Sequence, residues 1–219
     1  MSFPFEVREV PGEQALDALK SLTIPGRVSP VVLGGPDDVD RVMENHEFYD
    51  ESPEELLQAA LEIDTPAWLQ ERGESRRSDR PEFRGDWPAV AKPSTFSGHL
   101  DLLTGKPLPE VSIALLPAAA DWEVPCLLKF GGWNECPEPA EHAAMFRRWD
   151  EKYGIQVLSM SGDTIEVSVQ RPPTTREEAL ALAWEQFVYC PDIVTQGTGT
   201  VDALAASLLD GPVWIFWWD

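Results

Sequence analysis

The run Val213-Trp214-Ile215-Phe216-Trp217-Trp218 sets bulky apolar side chains side by side with no polar interruption. Successive side chains of a strand point to opposite faces, so Trp214, Phe216 and Trp218 share one face and Val213, Ile215 and Trp217 the other. A strand apolar on both sides cannot leave either face in water without a serious aggregation hazard. It is expected inside a sheet covered on both faces, as core and not as tail. At 219 residues the chain is long enough for one large domain, or for one domain with a smaller helical extension.

The rest of the pattern agrees with an α/β chain. Ala15, Leu16, Ala18, Leu19 and Leu22 fall at helical spacing, and Val31-Val32-Leu33 before Gly34-Gly35-Pro36 reads as a strand entering a turn. Residues 37–47 read as a helix, and Ser52-Pro53-Glu54-Glu55 opens another through about Ile63, with a restart near Thr65-Pro66. Residues 111–116 and 125–130 read as short apolar strands. The stretch 138–153 sets His142, Phe146, Trp149 and Tyr153 on one helix face, with Gly154 just past its end. Residues 155–160 and 164–170 form a hairpin-like strand pair around Ser161-Gly162-Asp163. Thr175-Arg176-Glu177-Glu178 is a capping box for a helix whose expected buried stripe is Leu180, Ala183, Trp184 and Phe187. Thr200 caps a last short helix.

From residue 125 onward the expected order is strand, helix, strand, strand, helix, short helix, strand. That is the split βαβ order of ferredoxin-like sheets, extended by the 111–116 strand. Three regions are expected: an N-terminal helical region at 1–72, an irregular linker at 73–109 and an α/β sheet domain at 110–219. The linker is rich in Pro and Gly and opens with Arg72, Arg76, Arg77, Arg80 and Arg84. These arginines are expected in solvent or on the protein's own carboxylates, with a basic lid or partner-contact loop as the functional alternative.

Four short motifs occur in order: Gly131-Gly132-Trp133-Asn134, Arg171-Pro172-Pro173, Tyr189-Cys190-Pro191-Asp192 and Phe216-Trp217-Trp218-Asp219. As a set they resemble a bacterial family known only as domain of unknown function 4253. The similarity covers about 111–219 well and the first half loosely. It implies a bacterial, intracellular α/β protein and a neighbour of toxin–immunity systems. It supplies no activity and no catalytic residues.

Charge narrows the function classes. With 38 Asp and Glu against 17 Lys and Arg the formal net charge is −21, spread over both halves of the chain. Nucleic-acid binders draw their affinity from Lys and Arg, so no nucleic acid is expected. An anionic membrane is disfavoured for the same reason, and no apolar run approaches the length of a span. A basic protein partner suits the acidic surface, although the charge also serves solubility alone. The first ten residues carry no basic-then-apolar signal pattern, and three cysteines suggest reduced thiols, so a cytoplasmic location is expected.

Candidate chemistry is sparse. Cys136 precedes a helix start, where amide dipoles favour a thiolate, and His142 lies six residues on; Glu135 and Glu138 offset that benefit. Cys190 sits at a helix C-terminus, the wrong end of the dipole for a thiolate, with Asp192 expected on turn amides. Convergence of Cys126, Cys136, His142 and Cys190 on a metal matches no zinc spacing, so no metal and no cofactor are expected. Gly131, Gly132, Trp133 and Asn134 join two elements where α/β proteins gather N–H groups. With Cys190 and Asp192 they form the expected binding surface, and Trp133 is its candidate anchor. Two functions follow: an acidic, non-catalytic binding or inhibitory module, or a small hydrolase using Cys136 or Asp192 beside His142.

Overall fold

Six strands drawn from both halves of the chain pair into one mixed sheet, in a computed structural model that describes residues 3–76, 83–101 and 103–219. They are β1 Glu6–Val10, β2 Ser29–Gly34, β3 Val111–Leu116, β4 Ile155–Ser161, β5 Thr164–Val169 and β6 Val213–Trp217, in the order β1-β3-β2-β4-β5-β6. β2 and β4 run parallel; the other neighbours are antiparallel. The helices are α1 Ala15–Leu22, α2 Pro36–Phe48, α3 Pro53–Glu62, α4 Thr65–Arg76, α5 Val124–Leu128, α6 Pro139–Tyr153, α7 Arg176–Tyr189 and α8 Val201–Leu208.

Local chemistry explains the boundaries. The hydroxyls of Ser52, Thr175 and Thr200 accept from the amides of Glu55, Glu178 and Ala203, capping α3, α7 and α8. Gly154 ends α6 in the left-handed region at φ 63°. The Arg171 guanidinium donates to the Asp150 and Glu151 carbonyls at 3.2 Å, a cation on the negative end of α6.

The mixed α/β class is the expected one, but three elements differ. Residues 125–130 are not a strand. Pro125 stands in the first turn of α5, where its missing N–H costs nothing, and all five residues of α5 are buried. A short, fully buried apolar run has no periodicity to separate strand from helix. The split βαβ order expected from residue 125 began with that strand; instead β2 lies beside β4 as its parallel partner and β6 adds to the outer side of β5.

The second difference is β6, which is an edge strand. Trp214, Phe216 and Trp218 are buried on one face, while Ile215 and Trp217 are half-covered on the other. The free edge is shielded by the turn after α7: Cys190 Sγ donates to the Trp217 carbonyl at 3.0 Å, and Gly197 of the π-helical turn Ile193–Thr198 lies against the Trp217 ring. The third is the buried stripe of α7, which runs through Ala179, Leu182, Ala183, Gln186 and Phe187, with Leu180 and Trp184 half-exposed.

One sheet face carries the main core. Val31, Leu33, Ala114, Leu116, Val157, Ile165, Val167, Trp214 and Phe216 pack there with residues of α2, α5, α6, α7 and α8. The opposite face is covered by a smaller cluster of Ala15 and Leu19 from α1, Phe96, and Val32, Ile113, Leu158 and Val213. β1 closes the other edge with Glu6, Arg8 and Glu9, charges that discourage a further strand. Of the arginine cluster, Arg84 makes a two-point ion pair with the buried carboxylate of Asp202, at 2.7 and 3.0 Å, as expected for pairing with the protein's own acids. Arg77, Arg80 and the neighbouring Pro81 lie outside the described residues.

At the centre of the main core the Trp149 ring stacks on Phe216, with centroids 5.6 Å apart and planes 5° from parallel. It meets Trp214 and Tyr189 edge-on at 5.8 and 5.0 Å. Its indole N–H donates to Glu185 at 3.0 Å, and Arg148 holds that carboxylate at 2.7 Å. Trp149→Ala should therefore lower stability by about 3–5 kcal/mol, read from urea unfolding, because it empties the space between α6 and β6.

Candidate functional site

Three of the four sequence motifs meet at one end of the sheet. α7 stops at Cys190, whose amide still bonds the Gln186 carbonyl at 2.8 Å, and Pro191 cannot continue it. The turn that follows places Asp192 so that its Oδ2 accepts from the Asp219 amide at 3.1 Å. The loop from Gly131 to Asn134 comes up beside them. Together they form a depression of about 320 Å³ lined by Asn134, Glu135, Pro191, Asp192, Trp218 and Asp219.

The glycines of the loop are there for close packing. At Gly131, φ is 125° and a Cβ would collide with the Pro137 carbonyl; at Gly132, φ is 88° and a Cβ would collide with Tyr49 Oη. In the direction a side chain would take, both glycines meet the protein's own atoms, while the Gly132 backbone itself is exposed. Trp133 is half-buried, edge-on against Phe130 at 4.9 Å, and only Asn134 of the four reaches the depression. Through Asn134 the loop contributes one wall of the depression.

Behind the depression lies a buried chain of polar groups. Cys136 Sγ is 3.3 Å from His142 Nε2, and His142 Nδ1 shares a hydrogen bond with the Tyr189 hydroxyl. A neutral imidazole has one N–H and one lone pair, so one of these contacts donates and the other accepts. His142 and Tyr189 are 0% exposed and Cys136 is 6% exposed. Rings of Phe130, Phe146, Tyr189 and Trp218 surround the imidazole. Arg72 spans the outside, its guanidinium on the Glu135 carbonyl and, at 3.3 Å, on the Val188 carbonyl.

Burial decides the protonation of this chain. Desolvation pushes the Cys136 thiol well above its usual range, with Cys190 adding to the effect and Arg72 opposing it. The same burial, followed by the Arg72 charge, holds His142 well below 6.5. Tyr189 is raised for the same leading reason. A thiol driven up beside an imidazole driven down stays a neutral pair, the reverse of the thiolate–imidazolium that a nucleophilic cysteine needs. Neither Cys136 nor His142 lines the depression, whereas Asp192 does.

Cys190 is fully buried and burial pushes it up to about 12. Cys126, likewise pushed to about 12, contacts the Pro139 carbonyl at 3.5 Å. Among the described residues no group of three or more His, Cys, Asp or Glu side chains is placed to hold a metal ion. Tyr189, Arg72 and Tyr49 were not singled out as site residues from the sequence. Tyr189 stands inside its motif, yet only the meeting of α7 with α6 turns its hydroxyl toward His142. Arg72 and Tyr49 reach the site from 63 and 82 residues away along the chain.

Two outcomes follow from this geometry. No cysteine of the folded protein should react with iodoacetamide at about pH 8, and all three should react after unfolding; full labelling of native Cys136 would contradict the buried assignment. Tyr189→Phe leaves an imidazole nitrogen without its partner and should lower stability by about 1–3 kcal/mol in urea unfolding.

Comparison with known proteins adds one finding. Residues 112–219 match the model of the family described as Domain of unknown function (DUF4253). No curated protein and no solved structure matches the chain.

Proposed function

We propose that this chain, whose residues 112–219 belong to the DUF4253 family, is a non-catalytic acidic module that binds a basic protein partner through the depression around Asp192. The observation that carries this reading is the separation of chemistry from access. The depression exposes Asn134, Asp192 and Asp219, while the Cys136–His142 pair is buried and neutral. A pocket edged by carboxylates on a protein of net charge −21 suits a Lys or Arg side chain. Trp218, itself buried against Phe130, His142 and Tyr189, closes the depression on its inner side. In its inhibitory form, this module would cover a basic surface of its partner. Three free, buried cysteines fit a reducing, cytoplasmic setting.

The hydrolase reading rests on the 3.3 Å contact between Cys136 and His142. It requires that pair to open to solvent, and the alkylation experiment decides it.

The binding reading is tested with synthetic Lys- and Arg-rich peptides by calorimetry. Binding should weaken steeply between about 0.01 M and 0.15 M salt, as the screening length falls from about 30 to about 8 Å. Asp192→Asn keeps the acceptor for the Asp219 amide and removes only the charge; it should weaken binding about tenfold, or about 1.4 kcal/mol. Absence of saturable binding at low salt, or affinity indifferent to both salt and Asp192→Asn, would overturn the reading.

A further inference from the structure

A second cavity, of about 530 Å³, lies on the far side of Tyr49 from the motif loop, between the N-terminal segment, α2 and the end of α5. That volume is in the range of small-molecule sites. Phe3, Pro4 and Met43 supply apolar wall; Lys129, His46, Tyr49, Glu47 and Asp50 supply the polar lining.

Lys129 is unusual in two respects. It is only 7% exposed, although a buried ammonium is costly unless paired. It can donate three hydrogen bonds and makes one, to the Tyr49 carbonyl at 2.8 Å; among the described residues no carboxylate comes within ion-pair distance of it. Its backbone is held at φ 50°, ψ 43°, the left-handed region that a non-glycine residue adopts at a cost. The turn that ends α5 thus places a cation with spare donors in the wall of a cavity. Beside it, His46 Nε2 is shielded from solvent and has no hydrogen-bond partner.

We propose that this cavity binds a small monocarboxylate with an apolar, ring-sized body, its carboxylate on Lys129 and His46 and its body against Phe3, Pro4 and Met43. A single negative charge fits better than a phosphate dianion. Lys129 supplies one positive charge, burial and then the Lys129 field hold His46 below 6.5 and so neutral, and Glu47 and Asp50 stand at the rim. A cationic ligand would have to approach Lys129 itself.

The test uses the full chain with benzoate as probe, and benzylamine, benzyl alcohol and inorganic phosphate as comparators, by calorimetry and ligand-observed NMR. Benzoate should saturate one site with Kd at or below about 1 mM, and the comparators should bind at least about tenfold more weakly. Lys129→Met, which keeps the stem and removes the charge, should weaken benzoate at least about tenfold. Met43→Trp fills the cavity without touching the cation and should also abolish binding, so it decides the matter if Lys129→Met does not fold. Asp192→Asn should leave benzoate affinity unchanged, which separates this site from the acidic depression. No saturation by benzoate, equal binding of benzylamine, tighter binding of phosphate, or a folded Met43→Trp that binds like the parent would each overturn the proposal.

Discussion

The stack of Trp149 on Phe216 joins the long helix α6 to the edge strand β6, and the end of α7 packs into that join through Tyr189. Because the two rings lie flat against each other, β6 is held in register beneath α6. Tyr189 then fills the angle between them, 5.0 Å from Trp149 and 5.1 Å from Phe216. Aromatic pairs of this kind combine large apolar burial with a preferred geometry, so they hold position as well as contributing stability. With α6, α7 and β6 tied at one point, His142 on α6, Tyr189 on α7 and Trp218 after β6 necessarily meet.

That meeting explains why residues resembling catalytic parts are held neutral and away from solvent. A cysteine, a histidine and a tyrosine in hydrogen-bonding sequence suggest a nucleophile, a base and an orienting group. Here each partner satisfies another inside an apolar shell, and burial drives all three toward their neutral forms. The chain of contacts instead links the segment before α6 to the end of α7, while Arg72 holds the same two backbone segments from outside. The carboxylates of the motifs, by contrast, face outward, where a charge keeps its hydration until a partner replaces it.

Tyr49 connects this region to the N-terminal half. Its hydroxyl shares one proton between the Glu138 carboxylate and the Gly131 carbonyl, the latter at 3.0 Å, while its own carbonyl accepts from Lys129. One residue therefore braces the glycine loop on one side and lines the Lys129 cavity on the other. The two cavities have no lining residue in common; the second holds Lys129 as well as the carboxylates of Glu47 and Asp50.

Local chemistry was enough to place most of the elements. Ser52, Thr175 and Thr200 cap through their own hydroxyls, Gly154 stops α6, and the alternation in Ile165, Val167 and Val169 marks β5; each signal acts within a few residues, so it can be read along the chain. The mixed α/β class and the core role of the terminal aromatics were legible for the same reason. Only the tertiary structure decided that residues 125–130 turn into a helix, because a buried apolar run looks alike in either form. It also decided that β6 lies at an edge, since both faces of a strand can be covered by packing layers, here the main core and the α1–Phe96 cluster, without a strand on either side of it being required. The charge on Asp192 could be read from its residue type, but not its exposure, nor the neutrality of Cys136 and His142, nor the isolation of Lys129. Those are properties of solvent access and of neighbours brought from far along the chain, and they exist only once the layers have packed.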